Sequence, residues 1–456
     1  MSDPRRVAII GAGIAGLSAG FDLADTEHDV HLFEAGSRLG GKIAHAKLGD
    51  LVVPTAPDAF LARRPEMITL VRDLDLGDSL VSPAAGQARL YRDEMLHPLP
   101  PSVLGIPTDL ESLAESGLIS PEGIARAEED LTREDDRPET DESVGDLVRR
   151  RLGDEILEYV VDPLLGGINA GDSDMLSITA GVPQIGELRT QHRSLLTAAS
   201  HMRQRATDPG APVFFSVAGG LDRVISALDD RLTSADNVSV HLNTHIGPLI
   251  PVAEGWEVAE QVFDDVIVAT PSYATHDLLP DNATTAKTLL RGIDYSSVAM
   301  IVLALDERQL ELDPAVSGVL VPRLAGLHVT AVSVATNKWP ELAPSGQEVL
   351  RVSVGRRHDT RWTEMDDDAL VATVLDDLRT ILGHDVSPEA TLVTRWMRSL
   401  PQYDVGHIER IARLVQSMET ETPGLILAGA ALHGLGLPAC VSSGRSAAKT
   451  VLDPRV

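Results

Sequence analysis

Three glycines near the start of the chain are spaced to bind a pyrophosphate. Gly11, Gly13 and Gly16 directly follow the apolar run at residues 7–10. The first glycine allows a tight turn, the second lets the backbone approach a phosphate, and the third lets a helix pack closely on the preceding strand. Glu34 lies 21 residues after Gly13, at the end of the next apolar run, where a carboxylate can bind ribose hydroxyls. These residues predict a dinucleotide site.

The elements around the glycines fit a strand, a turn and a helix. The run at residues 7–10 is typical of a buried strand, and Ile14, Leu17, Phe21 and Ala24 then recur at helical spacing. Residues 28–33 predict a second strand that ends at Glu34. The N-terminus of the predicted helix offers N–H groups to phosphate oxygens. This is the first strand–turn–helix unit of a dinucleotide-binding fold.

A second glycine pair follows the acid. The segment Arg38-Leu39-Gly40-Gly41-Lys42 places two cations beside two glycines. It resembles the extension found in FAD-dependent amine oxidases and their relatives, which simple NAD dehydrogenases do not usually carry. FAD is therefore the predicted dinucleotide.

Composition narrows the class of protein. The 456 residues are enough for two or three domains, and the net charge of −29 argues against nucleic acid and against bulk-charge attraction to an anionic membrane. Cys440 is the single cysteine, so no disulfide framework is expected and a reducing compartment is favoured. The longest aliphatic run, at residues 298–305, is too short to span a bilayer. We expect a soluble, cytoplasmic protein with local cations for any anionic substrate.

The dinucleotide domain is predicted to be discontinuous. Residues 238–242 and 264–269 form further strand patterns, and a strand at 424–430, a glycine turn at 434–438 and a helix at 442–452 close the chain. The predicted fold class is α/β, with a Rossmann-like FAD-binding domain, a β-sheet substrate domain and a helical insertion. We place the FAD-binding domain at 1–85, 206–285 and 393–456, the sheet domain at 86–104 and 286–392, and the insertion at 105–205.

Charge clusters in the predicted insertion admit two interpretations. The acidic stretch at 128–142 is interpreted as a solvated surface. Basic residues at 149–151 and 189–205 could meet an anionic ligand or lipid headgroup, or could form salt bridges along helices. β-rich segments at 293–305, 318–321, 329–334 and 349–354 predict a single sheet in the second domain, followed by an amphipathic helix at 366–382.

Motifs along nearly the whole chain resemble those of the soluble porphyrinogen oxidases of Gram-positive bacteria, which are flavoproteins. The matching segments are residues 38–42, 57–61, 96–100, 105–108, 149–155, 162–172, 191–195, 338–340, 394–396 and 401–407. The first motif is shared by many flavoenzymes, whereas those in the middle of the chain are far more specific to this family.

The resemblance implies that FAD carries the chemistry and that no side chain acts as a nucleophile or metal ligand. The implied cofactor contacts are Gly11, Ala12, Gly13, Ile14, Ala15, Gly16, Glu34, Ala35, Arg38, Gly41, Lys42, Ala56, Pro57, Asp58, Ala59, Ile246, Trp396, Gly429, Gly436, Leu437, Pro438 and Ala439. Arg63 and Arg64, just past one of these loops, are the first candidates to bind substrate propionates, ahead of Arg89 and Arg193.

The implied reaction is the oxidation of coproporphyrinogen III to coproporphyrin III in haem biosynthesis. Six electrons leave in three two-electron steps, and molecular oxygen is reduced to hydrogen peroxide. The implied partners are the porphyrinogen, oxygen and a downstream ferrochelatase, with peripheral membrane contact as an option.

Three alternatives stay open at this point. Protoporphyrinogen IX is a second possible substrate. An amine oxidase on the same fold is a third reading, although no aromatic residue follows Tyr403, where such enzymes place one near the flavin. A non-catalytic porphyrin or haem carrier is the fourth, because Pro54, Ala56 and Ala439 stand where the family usually has other residues. Cys440 is interpreted as a small buried residue and not as a covalent flavin link.

Overall fold

The computed structural model describes residues 4–134, 138–205, 211–306, 309–342 and 347–453. In these ranges the α-helices, in chain order, are α1 (Ile14–Leu23), α2 (Pro65–Asp73), α3 (Leu110–Glu115), α4 (Pro121–Glu128), α5 (Val144–Leu152), α6 (Asp154–Ile156), α7 (Asp162–Asn169), α8 (Pro183–Gln191), α9 (Leu195–Gln204), α10 (Asp222–Ser234), α11 (Ser272–Leu278), α12 (Thr284–Arg291), α13 (Ala335–Lys338), α14 (Asp367–Leu382), α15 (His407–Glu421) and α16 (Leu437–Leu452).

The strands of the same ranges fall into one parallel sheet, one mainly antiparallel sheet and several small ribbons. They are β1 (Arg6–Ile10), β2 (Asp29–Phe33), β3 (His45–Leu48), β4 (Leu51–Pro54), β5 (Phe60–Leu61), β6 (Leu80–Val81), β7 (Gln87–Arg92), β8 (Met95–Pro98), β9 (Ser102–Val103), β10 (Ile106–Pro107), β11 (Phe214–Val217), β12 (Val238–His241), β13 (Ile250–Val252), β14 (Gly255–Val258), β15 (Gln261–Phe263), β16 (Asp265–Val268), β17 (Tyr295–Asp306), β18 (Val316–Leu320), β19 (Val329–Val334), β20 (Gln347–Val354), β21 (Ala390–Pro401) and β22 (Leu425–Leu427).

The first sheet is parallel and has the strand order β12-β2-β1-β16-β22. Its central strand β1 is almost fully buried, because apolar residues of α1, α10 and α16 cover one face and the β13–β15 ribbon, α12 and α15 cover the other. A parallel sheet covered on both faces needs such continuous apolar strands. The carboxyl ends of these strands carry the two glycine turns.

The second sheet has seven strands in the order β21-β17-β20-β19-β18-β7-β8. Strand β17 pairs antiparallel with β20 and β21, and the only parallel pair among the described strands of this sheet is β18 with β7. Apolar residues of α14 pack against the sheet, among them Leu370, Val374 and Leu378. The predicted single sheet and its amphipathic helix are therefore found together, and β7 and β8 join them from far earlier in the chain.

Helices α3 to α9, which follow β10 and precede β11 in the chain, form a separate hydrophobic cluster. Leu147, Ile156 and Leu188 are completely or almost completely buried there. Leu90 of β7 and Tyr403 contribute to the same cluster, so this helical part packs against the second sheet. None of the helices in the described ranges is both long and apolar enough to cross a membrane.

The interpretation of the acidic stretch as a solvated surface is wrong at two residues. Asp130 is fully buried, and its carboxylate lies 2.5 Å from the Arg151 guanidinium and accepts a 2.7 Å hydrogen bond from the Ser194 hydroxyl. Glu142 is also buried and pairs with Arg150 at 2.6 Å. Arg150 and Arg151 belong to α5, and Ser194 caps α9. The spacing of residues in the sequence did not indicate these contacts. Residues 135–137 of this stretch lie outside the described residues.

One further prediction needs correction. The last helix begins at Leu437 and not at residue 442, because Gly436 caps it and Pro438 is compatible with a first helical turn. Strand β11 pairs with β5 and β6 in a small antiparallel sheet. The predicted boundary at 205/206 borders residues 206–210, which lie outside the described residues.

Candidate active site

The first glycine turn joins β1 to α1. Gly11 has a φ of 100°, and a Cβ built on Gly16 would lie 1.9 Å from the Gly11 carbonyl oxygen. A side chain at Gly16 would therefore push α1 away from the strand. Gly13 caps α1, and a Cβ built on it meets no described atom within 4 Å. The turn therefore packs tightly at Gly11 and Gly16 and has free space beside Gly13. Ala12, Ile14 and Ala15 are buried.

Glu34 lies against this turn. Its Oε2 accepts a 2.9 Å hydrogen bond from the Ala12 N–H, and its Oε1 accepts one of 2.7 Å from the Gly36 N–H. Ala35 lies between these two contacts. The structure thus places an acid at the carboxyl end of β2, beside the glycine turn, which is the position of a ribose-binding carboxylate in dinucleotide folds.

The second glycine pair packs against the first turn. The Gly40 N–H donates to the Ala12 carbonyl at 2.8 Å. The Arg38 guanidinium donates to the carbonyls of Leu39 at 3.1 Å and Gly41 at 2.6 Å, so it holds its own segment in shape. Lys42 is half-buried, and this burial lowers the pKa of its amine. Of the two predicted cations, Lys42 is the one that does not hydrogen-bond to this backbone.

The second glycine turn connects β22 to α16. Gly429 has a φ of 112°, and its N–H donates to the Ser443 hydroxyl at 3.0 Å. Gly436 caps α16, whose first turn contains the predicted contacts Leu437, Pro438 and Ala439.

The helices that follow the two glycine turns touch through their backbones. A Cβ built on Gly444 of α16 would lie 2.0 Å from the carbonyl oxygen of Ala15 in α1. Such close contact fixes α16 against α1 and therefore fixes the second turn relative to the first. The structure thus brings the two ends of the chain together at one side of the parallel sheet.

Tyr403 fastens the second turn from a different part of the chain. Its hydroxyl donates to the Ala430 carbonyl at 2.5 Å and accepts from the Gly434 N–H at 2.7 Å. Burial raises the pKa of Tyr403, so the hydroxyl stays protonated and can donate. The ring stacks on His407 with 4.1 Å between centroids. Tyr403 was absent from the predicted site residues, although it lies in one of the specific motifs.

The loop at residues 54–59 is held by the second sheet. The Asp58 carboxylate lies 2.7 Å from the Lys338 amine, 2.8 Å from the Arg351 guanidinium and 3.1 Å from the Trp339 indole nitrogen. Arg351 also donates to the Ala56 carbonyl. Burial alone would raise the pKa of Asp58, but Arg351 and Lys338 hold it well below its usual range.

This cluster changes how Asp58 is understood. All three donors contact Oδ2 of the carboxylate, so we interpret Asp58 as holding the shape of the loop that contains Ala56, Pro57 and Ala59. Lys338 and Arg351 were absent from the predicted residues. Lys338 lies in a quoted motif, but nothing in the sequence indicated that α13 and β20 would reach this loop.

Two predicted contacts come from distant segments. The Trp396 indole N–H donates to the Thr55 carbonyl at 2.9 Å, which places this side chain beside the same loop. Ile246 follows β12 and is buried. Neither its N–H nor its carbonyl hydrogen-bonds within the part of the chain that the structure describes.

These features fit a bound dinucleotide. The open space at Gly13 leaves room for phosphates at the start of α1, and Glu34 is placed for a ribose. Beside β12, the Ile246 peptide offers a donor and an acceptor that hydrogen-bond to none of the described residues. Lys42 lies close enough to Cys440 of α16 for its charge to lower the pKa of this thiol, which burial raises to about 11.

The predicted propionate-binding residues follow the loop at 54–59, just after the short strand β5. Arg63 and Arg64 are both exposed, and Arg64 forms an ion pair with Glu66. The basic residues of the helical part are largely used in salt bridges, as Arg149 is with Asp174 and Asp154. No group of three or more potential ligands in the described ranges could hold a metal ion.

The chain resembles known proteins over nearly its full length. It is 33% identical to coproporphyrinogen III oxidase of Bacillus subtilis (strain 168), with 99% of each chain covered. It is 33% identical to coproporphyrinogen III oxidase of Staphylococcus aureus (strain NCTC 8325 / PS 47), with 98% of this chain and 99% of that one covered. The resemblance to Gram-positive porphyrinogen oxidases is therefore confirmed.

Solved structures agree with the predicted fold. An Exiguobacterium sp. 255-15 protein, provisionally named protoporphyrinogen oxidase, superposes with a TM-score of 0.88 at 31% identity, with 99% of both chains covered. Cyclohexylamine oxidase from Brevibacterium oxydans IH-35A has the same fold, with a TM-score of 0.70 at 15% identity and 99% of both chains covered.

The family model described as flavin containing amine oxidoreductase matches residues 14–452. This match begins at Ile14, inside the first glycine turn, and continues through the helical part and the second sheet to the second glycine turn and α16. It confirms the prediction of a flavin cofactor and of an oxidoreductase. The chain therefore belongs to the flavin-containing amine oxidoreductase family.

Proposed function

We propose that this chain oxidises coproporphyrinogen III to coproporphyrin III, with FAD as cofactor and oxygen as final electron acceptor. The observation that carries the proposal is the alignment of the whole chain, from the first glycine turn to α16, with relatives named coproporphyrinogen III oxidase. The site geometry supports it, because the described residues form a site that fits a dinucleotide. A flavin reaction of this kind requires no nucleophile–base pair from the protein.

The reaction removes six electrons and six hydrogens from the porphyrinogen. In each of three rounds, one carbon–hydrogen bond and one further proton are lost, and one oxygen molecule is reduced to hydrogen peroxide. Bound FAD supplies the two-electron chemistry. The protein's share is to bind, orient and exclude water around the macrocycle.

The site residues divide this work among the elements. Gly11 to Gly16 would hold the pyrophosphate, Glu34 with Ala35 the ribose, and Ile246 the adenine through its backbone. Lys42, the loop at 56–59, Trp396, Gly429 and the turn at 436–439 would surround the flavin end. Arg38 and Gly41 would act by shaping the segment that carries Lys42. The division of the chain into three parts belongs to the same proposal. The FAD-binding domain comprises 1–85, 206–285 and 393–456, the substrate domain comprises 86–104 and 286–392, and the helical insertion comprises 105–205.

The cellular setting follows from the reaction. We expect the protein in the cytoplasm, where one cysteine and no disulfide suit a reducing compartment. A downstream ferrochelatase would take the porphyrin product. Peripheral contact with a membrane is compatible with the exposed arginines on α9 and its flanks.

Anaerobic reduction of the flavin tests the proposal. The purified protein is expected to be yellow, and coproporphyrinogen III should bleach the flavin absorbance faster than protoporphyrinogen IX does. Subsequent addition of oxygen should restore the absorbance and yield about three molecules of peroxide per porphyrin formed. A panel of primary amines serves as the control substrate class.

Each alternative has its own outcome in this experiment. Faster bleaching by protoporphyrinogen IX would replace the proposed substrate. Bleaching by amines alone would assign an amine oxidase, against the absence of aromatic residues after Tyr403. A colourless protein that still binds coproporphyrin would assign a carrier instead of an oxidase.

A further inference from the structure

Arg356 is a buried arginine that hydrogen-bonds to none of the described residues through its side chain. It follows β20 directly, after Gly355, and only 6% of its surface is exposed. No described carboxylate lies within ion-pair distance of its guanidinium, whereas its neighbour Arg357 pairs with Asp294 at 2.9 Å and with Asp404. Buried charges are costly unless they are paired and hydrogen-bonded, so the guanidinium of Arg356 lacks a partner that a structural arginine would have.

The acids nearest to Arg356 are already occupied. Asp162 accepts a 2.8 Å hydrogen bond from Ser173 and lies 3.5 Å from Arg323. Asp359 forms two hydrogen bonds of 2.8 Å with Arg361. Burial lowers the pKa of the Arg356 guanidinium, and the nearby charge of Arg323 lowers it further. Asp162 and Asp359 act in the opposite direction, but no acceptor among the described residues hydrogen-bonds to the five N–H donors of Arg356.

The location of Arg356 suits a ligand of the proposed active site. The Arg357 N–H donates to the Ala170 carbonyl at 2.8 Å, so this segment lies where the second sheet meets the end of α7. Earlier on the same strand, Arg351 contacts Ala56 and Asp58 of the loop proposed to border the flavin. Five residues span at most ~17 Å, so Arg356 is within that distance of Arg351.

A second unpartnered donor lies at the same junction. The side-chain nitrogen of Asn169, the last residue of α7, is buried and has no hydrogen-bond partner among the described residues. Asn169 directly precedes Ala170, which Arg357 contacts. The side-chain nitrogens of Arg356 are not completely buried, so solvent or a ligand can reach them. Two separate donors, on Arg356 and Asn169, thus lack a described acceptor where the second sheet meets the helical part.

We propose that Arg356 binds a propionate carboxylate of the porphyrinogen. This inference rests on the proposed function, since that function supplies a ligand with carboxylate arms. A guanidinium pairs with a carboxylate through two parallel hydrogen bonds, which a lysine amine cannot reproduce. Arg356 replaces Arg63 and Arg64 as the first propionate candidate, because those residues are exposed and Arg64 already has an acidic partner.

The test compares Arg356→Met with wild type and with Arg379→Met, a matched control on the exposed face of α14. Coproporphyrin III binding is measured by fluorescence titration of the flavin-loaded protein. Arg356→Met should bind at least tenfold more weakly, and its KM for coproporphyrinogen III should rise by a similar factor with kcat nearly unchanged. Arg356→Lys should fall between the two, and Arg379→Met should match wild type.

Thermal unfolding without porphyrin distinguishes substrate binding from a structural role. If Arg356 were a structural residue, its replacement would lower the unfolding midpoint. An unpaired buried cation costs stability, so Arg356→Met should have a midpoint equal to or above that of wild type. Coproporphyrin III should raise the midpoint of wild type more than that of the variant. A lowered midpoint, a variant that fails to fold, or unchanged porphyrin affinity would each overturn the assignment. Wild type that binds coproporphyrin III without flavin reduction by the porphyrinogen would instead refute the proposed function alone.

Discussion

Gly13 and Gly16 belong to the same turn, yet substitutions at these two residues should fail for different reasons. A Cβ on Gly16 meets the Gly11 carbonyl oxygen at 1.9 Å, so Gly16→Ala must separate α1 from β1. Overpacking of this kind typically costs about 1–3 kcal/mol. We expect the flavin-free protein to lose that much unfolding free energy in denaturant titration, and the purified protein to contain little flavin.

Gly13→Ala provides the matched control within the turn. Its Cβ meets no described atom within 4 Å, and its φ of −69° is one that alanine adopts freely. The flavin-free stability should therefore equal that of wild type, while FAD affinity should fall because the methyl group occupies the proposed phosphate position. Equal FAD affinity in Gly13→Ala and wild type would contradict that position.

Asp265, at the start of β16, should make stability depend on pH. Burial raises the pKa of this carboxyl to about 6, although Arg5 lies 2.8 Å away. An acid whose pKa is raised on folding binds its proton more tightly when folded, so stability rises as pH falls from about 6 towards 4. Asp265→Asn removes this dependence.

Unfolding free energies of the two proteins at several pH values check this expectation. From pH 5 to pH 8, wild type should lose on the order of 1–3 kcal/mol relative to Asp265→Asn, since one pKa unit corresponds to about 1.4 kcal/mol. The difference between the two proteins cancels the general effect of the net charge of −29. A difference that is constant across this range would show that the buried carboxyl does not titrate there.

At the residue scale, the sequence indicates local chemistry far better than distant partners. The glycine spacing and Glu34 are local patterns, and the structure places them together as a dinucleotide turn requires. The engagement of Asp58 by Lys338 and Arg351 joins residues almost three hundred positions apart, and no spacing rule reports such a pair. Arg356 is equally hidden, because only burial distinguishes it from the exposed Arg63.

At the scale of elements, the turn between β22 and α16 depends on an anchor outside it. The Tyr403 hydroxyl bridges the Ala430 carbonyl and the Gly434 N–H, both of which lie in this turn. Tyr403→Phe leaves these two backbone groups without their partner and should cost about 1–3 kcal/mol of unfolding free energy. Because the turn is proposed to border the flavin, FAD should also dissociate faster.

The measurement separates a local from a general loss. Flavin release, followed by fluorescence on dilution, should accelerate in Tyr403→Phe more than in Tyr159→Phe, a variant of the helical part whose ring lies under Arg92. Equal release rates in the two variants would mean that the turn keeps its shape without the Tyr403 hydroxyl.

Element boundaries were predicted well wherever a cap or a periodic pattern is local. The amphipathic helix expected at 366–382 is α14, which Asp366 caps through a 2.8 Å hydrogen bond to the Ala369 N–H. The start of α16 was predicted five residues late, because Leu437 and Pro438 follow glycines that also fit a loop. The acidic stretch was misinterpreted because the cations that pair with the buried Asp130 and Glu142 are Arg151 and Arg150 of α5.

At the scale of the whole molecule, one charged cluster joins the second sheet to the loop at residues 54–59. Lys338 and Arg351 extend from the second sheet and its short helix α13 to Asp58 in the loop that follows β4. This contact fixes the loop proposed to border the flavin relative to the sheet proposed to border the substrate. Because all three charges are shielded from solvent, breaking the cluster should cost far more than losing a surface ion pair.

A double-mutant cycle on Asp58 and Lys338 tests this connection. Asp58→Asn leaves two cations facing each other and should cost about 3–5 kcal/mol, whereas Lys338→Met leaves the pair between Asp58 and Arg351 and should cost less. The double variant should be more stable than the sum of the two losses predicts, by about 1–3 kcal/mol, because removing the amine relieves the repulsion that Asp58→Asn creates. Flavin content should fall in parallel with Asp58→Asn and recover in part in the double variant. Strictly additive losses would mean that Lys338 and Asp58 act independently, and the loop would then owe its position to Arg351 and Trp396 alone.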